Sequence, residues 1–219
     1  MPCRSGLARG RRSGEPERAG ALRIIGFRAR GNPDMGGRGK TPRDRNSGCI
    51  SGPPLPMLGP HFTVTGVACA PMEISPAEEH EREWAARLMA ASDPWVTLGV
   101  TIEECRRNCR DPRFQLYVAR LEGEPCGMIL LDRRGVAGSP YVKSVAVDPG
   151  RRGAGIGAVL LRFAEDLFRP EAKHIFLCVS SFNDRARAFY ERHGYKAVGV
   201  FEDYIIEGAS EILMHKRLR

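Results

Sequence analysis

The sequence lacks the long apolar runs and the cysteine patterns that mark membrane and disulfide-bonded proteins. No run of about 18 apolar residues occurs, so no helix is a candidate to span a membrane. The best candidate for a secretory signal, Ala21–Phe27, is short and is interrupted by Arg23 and Gly26. The seven cysteines are odd in number, show no paired C-x-x-C zinc spacing and predict no disulfide framework. These absences predict a protein of a reducing, cytoplasmic compartment, with no membrane partner and no metal.

Charge of one sign is also missing from most of the chain. The 219 residues carry a net charge of +8, but residues 1–60 hold 12 Lys and Arg against 4 Asp and Glu, whereas residues 61–219 hold 22 of each. One third of residues 1–60 is Gly or Pro, so this segment has little apolar surface to offset the entropy lost on ordering. We therefore predict a disordered Arg/Gly/Pro-rich extension over residues 1–60 and one domain with its own core over residues 61–219.

The extension itself leaves several interpretations open. Arg9–Arg12 and Gly36–Lys40 resemble Arg-Gly segments that bind nucleic acid through phosphate contacts. A solvated tail without a function and an organellar transit peptide are alternatives. A further alternative is an upstream segment that precedes a working start at Met57 or Met72.

Two capping boxes and two apolar patterns predict four helices in the domain. Ser75–Glu78 is a capping box with proline at the first helical position, which predicts a helix to about Ala91. Thr101–Glu104 opens a second helix to about Arg110. Apolar residues at helical spacing predict a third helix after a Gly/Arg loop, and a fourth is predicted over Asp184–His193.

The remaining apolar runs predict strands and set the fold class. The runs are Gln115–Leu121, Met128–Asp132, Tyr141–Val147, His174–Val179, Tyr195–Phe201 and Ser210–Lys216. Consecutive strands with a few inserted helices indicate a mixed α/β fold and not a doubly wound one. We expect a central twisted sheet of about six to seven strands flanked by about four helices.

The most informative segment, Ser144–Gly157, runs from an apolar strand through a glycine loop into a helix. Glycines let the backbone approach a ligand closely, and the first N–H groups of a helix point toward it without intrahelical partners. Arg151 and Arg152 add formal positive charge to the helix dipole. The pattern therefore predicts an anion site that suits a pyrophosphate.

A dinucleotide site is the first alternative for this loop. Gly153, Gly155 and Ala158 match the G-x-G-x-x-G/A fingerprint, but the loop from Val147 to Gly153 is too long. The next strand also ends in Ser180–Asn183, without the acidic residue that would hold a ribose. The context therefore argues against a dinucleotide.

The arrangement Arg152-x-x-Gly155-x-Gly157 after an apolar strand resembles the acyl-coenzyme A signature of the GNAT acetyltransferases. The second half of that pattern follows as Asn183-x-x-Ala186-x-x-Phe189-Tyr190-Glu191-x-x-Gly194-Tyr195. The resemblance covers roughly 72–218. Within the family, the chain is most similar to the branch of the bacterial ribosomal-protein alanine N-acetyltransferase, through Val145–Pro149, the Asn183 segment and Ile212–Met214.

The resemblance implies transfer of acetyl from acetyl-CoA, as co-substrate and without a metal, directly to an amine of a protein, peptide or small molecule. It implies that the loop backbone holds the pyrophosphate, that pantetheine pairs with the strand before it, and that the next strand splays away to leave room for the thioester. A backbone N–H at about Val147 would polarise the thioester carbonyl. The implied cofactor-binding residues are Val145, Ala146, Val147, Arg152, Gly153, Ala154, Gly155, Ile156, Gly157, Ala158, Asn183 and Ala186.

By the same resemblance, Tyr190 is the candidate general acid that protonates the leaving thiolate; the alternative is a tyrosine that only packs on the cofactor. A phenol pKa of about 10 and a thiol pKa of about 8.5 make this transfer roughly matched. Relatives of the named branch carry Glu five residues before the motif asparagine, where this chain has Cys178. A buried thiol is a poor base, so the sequence identifies no general base.

The resemblance implies an acceptor pocket between Pro94–Gly99 and the loop Phe201–Gly208. Glu202 and Asp203 in that loop would attract a cationic amine; a solvated acidic loop is the alternative. Two other functions stay open, a non-catalytic acetyl-CoA-binding regulator and nucleic-acid binding through the extension. For the domain itself we expect no nucleic-acid partner and a monomer or homodimer.

Overall fold

The structure is a computed structural model that describes residues 62–64 and 72–219. The predicted extension over residues 1–60 lies outside the described residues. The strands are β1 Phe62–Val64, β2 Met72–Pro76, β3 Phe114–Leu121, β4 Glu124–Val136, β5 Ser139–Val147, β6 His174–Ser180, β7 Lys196–Ile206 and β8 Ala209–Arg217. The helices are α1 Glu79–Ala90, α2 Ile102–Arg110, α3 Ile156–Phe168 and α4 Asp184–Arg192.

The described strands form one mixed sheet in the order β1-β2-β3-β4-β5-β6-β8-β7. The β5–β6 pair is parallel and the other neighbours are antiparallel. The predicted mixed α/β class with four helices is therefore confirmed. The sheet has eight described strands, and the additional one is β1, an edge strand of only three residues.

Helices cover both faces of the sheet, so the central strands are buried on both sides. In β4, Ile129 and Leu131 pack with α3, whereas Met128 and Leu130 pack with α1 and α2. This alternation follows from the period of two in a strand and explains why β4 reads as a continuous apolar run. None of the described helices is both long and apolar enough to cross a membrane.

The start of α1 differs from the sequence prediction. Ser75 and Pro76 do not open the helix, because both belong to β2 and pair with β3. The Ser75 hydroxyl accepts a hydrogen bond of 2.7 Å from Arg120 instead. The helix begins at Glu79, and the Glu81 carboxylate accepts from the backbone N–H of Glu78 at 2.8 Å. A tertiary contact from β3 thus overrides the local capping pattern.

The start of α2 is as predicted. The Thr101 hydroxyl accepts from the Glu104 N–H at 3.3 Å, and the Glu104 carboxylate accepts from the Thr101 N–H at 2.9 Å. This reciprocal capping box opens a helix that ends at Arg110. The last residues of α2 and the C-terminal end of α1 lie beside the segment after α1 that lines the functional site.

The sheet opens between β5 and β6. Their pairing covers only Tyr141 with Phe176 and Val142 with Leu177, and the strands separate beyond these pairs. On the other edge of β5, the register with β4 shifts at Lys143, which is a bulge residue. The splay that the family resemblance implies is therefore present, and the functional site lies in this opening.

Candidate functional site

A cavity of about 860 Å³ occupies the opening between β5 and β6. One end lies at the glycine loop and the start of α3, and the other reaches Glu211 on β8. Pro94, Trp95 and Leu98 line it from the segment after α1. The predicted acceptor segment Pro94–Gly99 thus reaches the same cavity as the predicted cofactor loop.

The loop before α3 forms the end of the cavity at which the sequence predicts an anion. Gly155 is the N-cap residue of α3 and has a φ of +80°, and Gly153 has a φ of +87°. Both angles lie in the left-handed region, which side chains disfavour. The first amide that donates into the helix is that of Ala158, to the Gly155 carbonyl at 3.0 Å. The preceding N–H groups at the helix start are therefore available to an anion.

Close packing of α3 on the sheet positions this end. A Cβ added at Gly127 on β4 would lie 2.8 Å from the Ile156 methyl Cγ2 and 3.0 Å from Leu160 Cδ1. Only glycine therefore lets the first turn of α3 lie so close to β4. This contact fixes the distance between the helix start and the β5 backbone.

Arg152 connects the loop to two neighbouring segments. Its Nε donates to the Val147 carbonyl at 3.3 Å, and its Nη2 donates to the Ser92 hydroxyl at 3.4 Å. The guanidinium thus holds a positive charge beside the end of β5 while it orders the loop. Arg152 is exposed enough to contact a ligand as well.

Most of the predicted cofactor residues line this one cavity. The exception is Ala154, and the eleven that line it are Val145, Ala146, Val147, Arg152, Gly153, Gly155, Ile156, Gly157, Ala158, Asn183 and Ala186. Asn183 also has a structural role, because its side-chain oxygen accepts from the Ala186 N–H at 3.1 Å and caps α4.

Tyr190, the predicted general acid, lies on α4, is 9% exposed and lines the cavity. Burial raises the pKa of Tyr190 to about 12. The phenol therefore stays protonated at neutral pH, but its pKa lies further from that of a free thiol than the sequence comparison assumed. A thiolate in the same cavity loses hydration too, so burial raises its pKa in the same direction.

Cys178 lines the cavity where relatives of the named branch carry Glu. Burial raises the pKa of Cys178 to about 11, although a hydrogen bond from the Tyr141 hydroxyl opposes the shift. Tyr141 is itself buried, and its pKa lies well above the usual range because of that burial. Both groups therefore hold their protons at neutral pH, and neither takes a proton readily.

Sequence reasoning missed Glu211, a carboxylate in the same part of the cavity. Glu211 is 5% exposed, and the Ser180 hydroxyl donates to it at 2.5 Å. Burial raises the pKa of Glu211, and the hydrogen bond from Ser180 lowers it. The signal in the sequence was weak, a single charge at an inward position of the apolar strand β8.

Glu202 and Asp203 do not reach the cavity. Residues 201–206 continue β7, so the predicted loop is a short hairpin turn. Asp203 has a φ of +47°, and its carboxylate accepts from the Gly208 N–H at 2.8 Å, which closes that turn. From this region it is Ile205 that lines the cavity. The two acidic residues stand exposed on the hairpin.

Within residues 72–219, no group of three or more His, Cys, Asp or Glu side chains is arranged to hold a metal ion.

The comparisons with known proteins agree with this geometry. Residues 76–195 match the model of the acetyltransferase (GNAT) family. An uncharacterized N-acetyltransferase of Methanocaldococcus jannaschii is 36% identical over 103 residues, which are 46% of this chain and 65% of that protein. The match thus spans slightly less than two thirds of the archaeal relative.

A bacterial relative and a solved structure extend the comparison. The N-alpha-acetyltransferase RimI of Mycobacterium tuberculosis is 30% identical over 138 residues, which are 61% of this chain and 82% of RimI. The crystal structure of the ribosomal-protein-S18-alanine N-acetyltransferase from Escherichia coli has a TM-score of 0.55 over 67% of this chain and 94% of that one. At 18% identity this second likeness shows the fold alone.

The family match covers more than half of the chain, and the relatives agree with the branch that the sequence resembles. The chain belongs to the GNAT acetyltransferase family.

Proposed function

We propose that this protein transfers the acetyl group of acetyl-CoA to a primary amine of a protein, a peptide or a small molecule by direct attack in a ternary complex. The main support is that one cavity joins the anion-binding start of α3 to the open edge of β5 and continues to the polar groups around Glu211. Acetyl-CoA and an amine would therefore meet without a covalent enzyme intermediate.

The backbone of β5 suits the pantetheine arm. Asp148 donates its N–H to the Cys126 carbonyl on β4 at 3.0 Å. Because successive N–H groups of a strand point to opposite edges, those of Val145 and Val147 point toward the edge from which β6 has separated. A linear amide ligand would pair with this free edge like an added strand.

The same edge supplies a donor for the thioester carbonyl. The Val147 N–H points into the opening, and a donor aimed at the oxyanion of an acyl-transfer step typically contributes about 3–4 kcal/mol. The Val147 carbonyl already accepts from Arg152, which holds this residue in place. The pyrophosphate would lie against the first amides of α3, with Arg152 beside it.

Tyr190 would complete the reaction. The amine nitrogen attacks the thioester carbon, the C–S bond breaks, and the departing sulfur takes the phenol proton. The high pKa of Tyr190 keeps this proton available at every physiological pH.

A thiol-release assay with acetyl-CoA tests the proposal. The acceptor panel holds a peptide with a free N-terminus, a lysine peptide with a blocked N-terminus, a polyamine and an aminoglycoside. The N-alpha-acetyltransferase relative makes the first peptide the first acceptor to test. We expect amine-dependent release of CoA and an acetylated product by mass spectrometry.

Calorimetric titration of acetyl-CoA separates this proposal from its alternative. Binding without thiol release on any amine would contradict the transferase and favour a non-catalytic acetyl-CoA-binding regulator. Absence of binding would contradict both.

A further inference from the structure

Three glutamates are buried among the described residues, and one of them differs from the other two. Glu81 pairs with Arg120 at 2.5 Å, and Glu165 pairs with Lys216 at 2.6 Å. Glu211 has no such cation within residues 72–219, and its partner is the neutral Ser180 hydroxyl. Burial of an unpaired carboxylate is costly, so its position calls for a function.

The position of Glu211 in the cavity indicates that function. Glu211 lines it, whereas Glu81 and Glu165 do not. Glu211 lies across from Ser180 in the β6–β8 ladder, directly beyond the point where β5 and β6 part. Ser180 and Glu211 lie three residues along β6 beyond the last β5–β6 pair, where an acceptor amine in the opening would meet the carboxylate.

On the basis of the proposed function, we propose that Glu211 is the general base that deprotonates the acceptor amine. The site lacks a base at Cys178, and Glu211 supplies one from the neighbouring strand. The Ser180 hydroxyl holds the carboxylate with one hydrogen bond, and Glu211 itself lines the cavity.

Glu211 and Tyr190 together handle the protons of the acetyl transfer. The acceptor ammonium gives one proton to the Glu211 carboxylate, and the freed nitrogen lone pair forms the C–N bond to the thioester carbon. The C–S electron pair leaves with sulfur, which takes the proton of Tyr190. The second nitrogen proton returns to the Tyr190 oxygen through water in the cavity, and Glu211 releases its proton to solvent.

The groups around Glu211 are consistent with this role. The charge of Glu211 contributes to the raised pKa of Tyr141 on β5 and of Cys178 on β6, and both groups stay protonated at neutral pH. Its partner on β7 is Phe201, which does not titrate. Burial raises the pKa of Glu211 toward neutral pH. A general base works best when its pKa lies near the operating pH.

Lys143 is the rival base. It also lines the cavity, and burial lowers the pKa of Lys143 to about 8. Its ammonium, however, lies over the Phe114 ring, 5.1 Å from the centroid. The charges of Arg113, Asp132 and Asp111 also shift the pKa of Lys143. Glu211 and Tyr141 are not among the groups that shift the pKa of Lys143.

The test compares Glu211→Gln with the wild-type full chain between pH 6 and pH 10. Glutamine keeps the acceptor oxygen for Ser180 but takes up no proton. We expect kcat/KM at pH 7 to fall about 100-fold with acetyl-CoA affinity unchanged. The deficit shrinks as pH approaches the pKa of the acceptor, about 8 for an α-amine or 10.4 for a lysine amine, because solvent then deprotonates it.

Glu165→Gln is the matched control, because it neutralises a buried glutamate outside the cavity and is expected to keep the wild-type rate. A deficit that is constant with pH, a rise in acceptor KM at unchanged kcat, or activity of Glu211→Gln within about threefold of wild type overturns the assignment. A deficit that shrinks with rising pH in Lys143→Met, with Glu211→Gln close to wild type, overturns it too. If the wild type acetylates no amine, the proposed function fails, and this inference fails with it.

Discussion

The two ends of the cavity are built from different parts of the protein. The cofactor end consists mainly of backbone, with the N–H groups at the start of α3 and the free edge of β5 beside a glycine loop. The acceptor end consists of side chains, with Tyr141, Cys178 and Glu211 contributed by three strands. Under the proposed function, the side chains of the acceptor end could change while the backbone of the cofactor end stays.

Tyr190 lines the same cavity, and removing its hydroxyl should give the largest effect. We expect Tyr190→Phe to lower kcat about 100-fold, since the leaving thiolate then has no acid, with little change in the KM for acetyl-CoA. Steady-state thiol release measures both constants.

Tyr195→Phe is the control for that variant, because Tyr195 is equally buried but does not line the cavity. Its kcat should match the wild type. An unchanged kcat in Tyr190→Phe would leave Tyr190 as a residue that only packs on the cofactor.

Backbone geometry at the cofactor end is tested by Gly155→Ala. An alanine at a φ of +80° costs about 1–2 kcal/mol, and relief of this strain by movement of the first turn of α3 would displace the anion-binding amides. We expect acetyl-CoA affinity to fall about tenfold, measured by calorimetry.

Gly208→Ala carries the same strain at a φ of +80° in the β7–β8 turn, far from the glycine loop in the chain. Both variants should lose similar thermal stability, and only Gly155→Ala should lose affinity. Equal affinity in the two variants would show that the loop backbone does not hold the cofactor.

The acidic hairpin tests how far the acceptor end extends. Glu202 and Asp203 are exposed outside the cavity, so they would act on a cationic acceptor only through solvent. We expect charge reversal at both positions to raise acceptor KM about threefold at low salt, and the effect to fade at about 0.5 M salt. An unaltered KM at low salt would remove both residues from the acceptor site.

The smallest effect concerns the support of the acceptor end by α1 and α2. Arg106, at 2.7 Å, and then Arg87, at 3.0 Å, hold the pKa of Glu83 down at about 2, below its ordinary 4.5. A depressed folded-state pKa stabilises the fold above pH 4.5, and the gain is lost as pH falls toward 2. Glu83→Gln should therefore lower the melting temperature at pH 7 and by less at pH 3.

Glu103→Gln is the control for Glu83→Gln, because Glu103 contacts the same Arg106 at 3.4 Å but is more exposed. It should shift the melting temperature less at either pH. If the difference in melting temperature between Glu83→Gln and the wild type does not shrink on acidification, the result contradicts the role of this ion pair.

The sequence predicted which residues line the glycine-loop end of the cavity, for a physical reason. Its residues lie in two short segments, and each glycine or capping residue acts on the backbone next to it. Eleven of the twelve predicted contacts line the cavity, and the exposed Ala154 does not. The Thr101 capping box was predicted for the same reason, since both partners lie within one helical turn.

The sequence predicted poorly wherever a distant residue decided between local alternatives. Ser75 resembles an N-cap, yet Arg120 on β3 uses its hydroxyl, so α1 starts later. Glu202 and Asp203 resemble an acidic pocket, but they lie in the irregularity of the β7–β8 ladder between Phe201 and Ile206, outside the cavity lining. Neither outcome follows from the residues nearby.

The sequence by itself determined the mixed sheet and the family and predicted the anion site at the glycine loop, because periodicity, capping and glycine geometry act over a few residues. Only the tertiary structure decided what faces the acceptor. Tyr141, Cys178 and Glu211 are far apart in the chain and meet because β8 inserts beside β6 and because β5 leaves β6 after Val142. Burial removes water from these three groups and raises the pKa of each. Burial is a property of the folded chain alone.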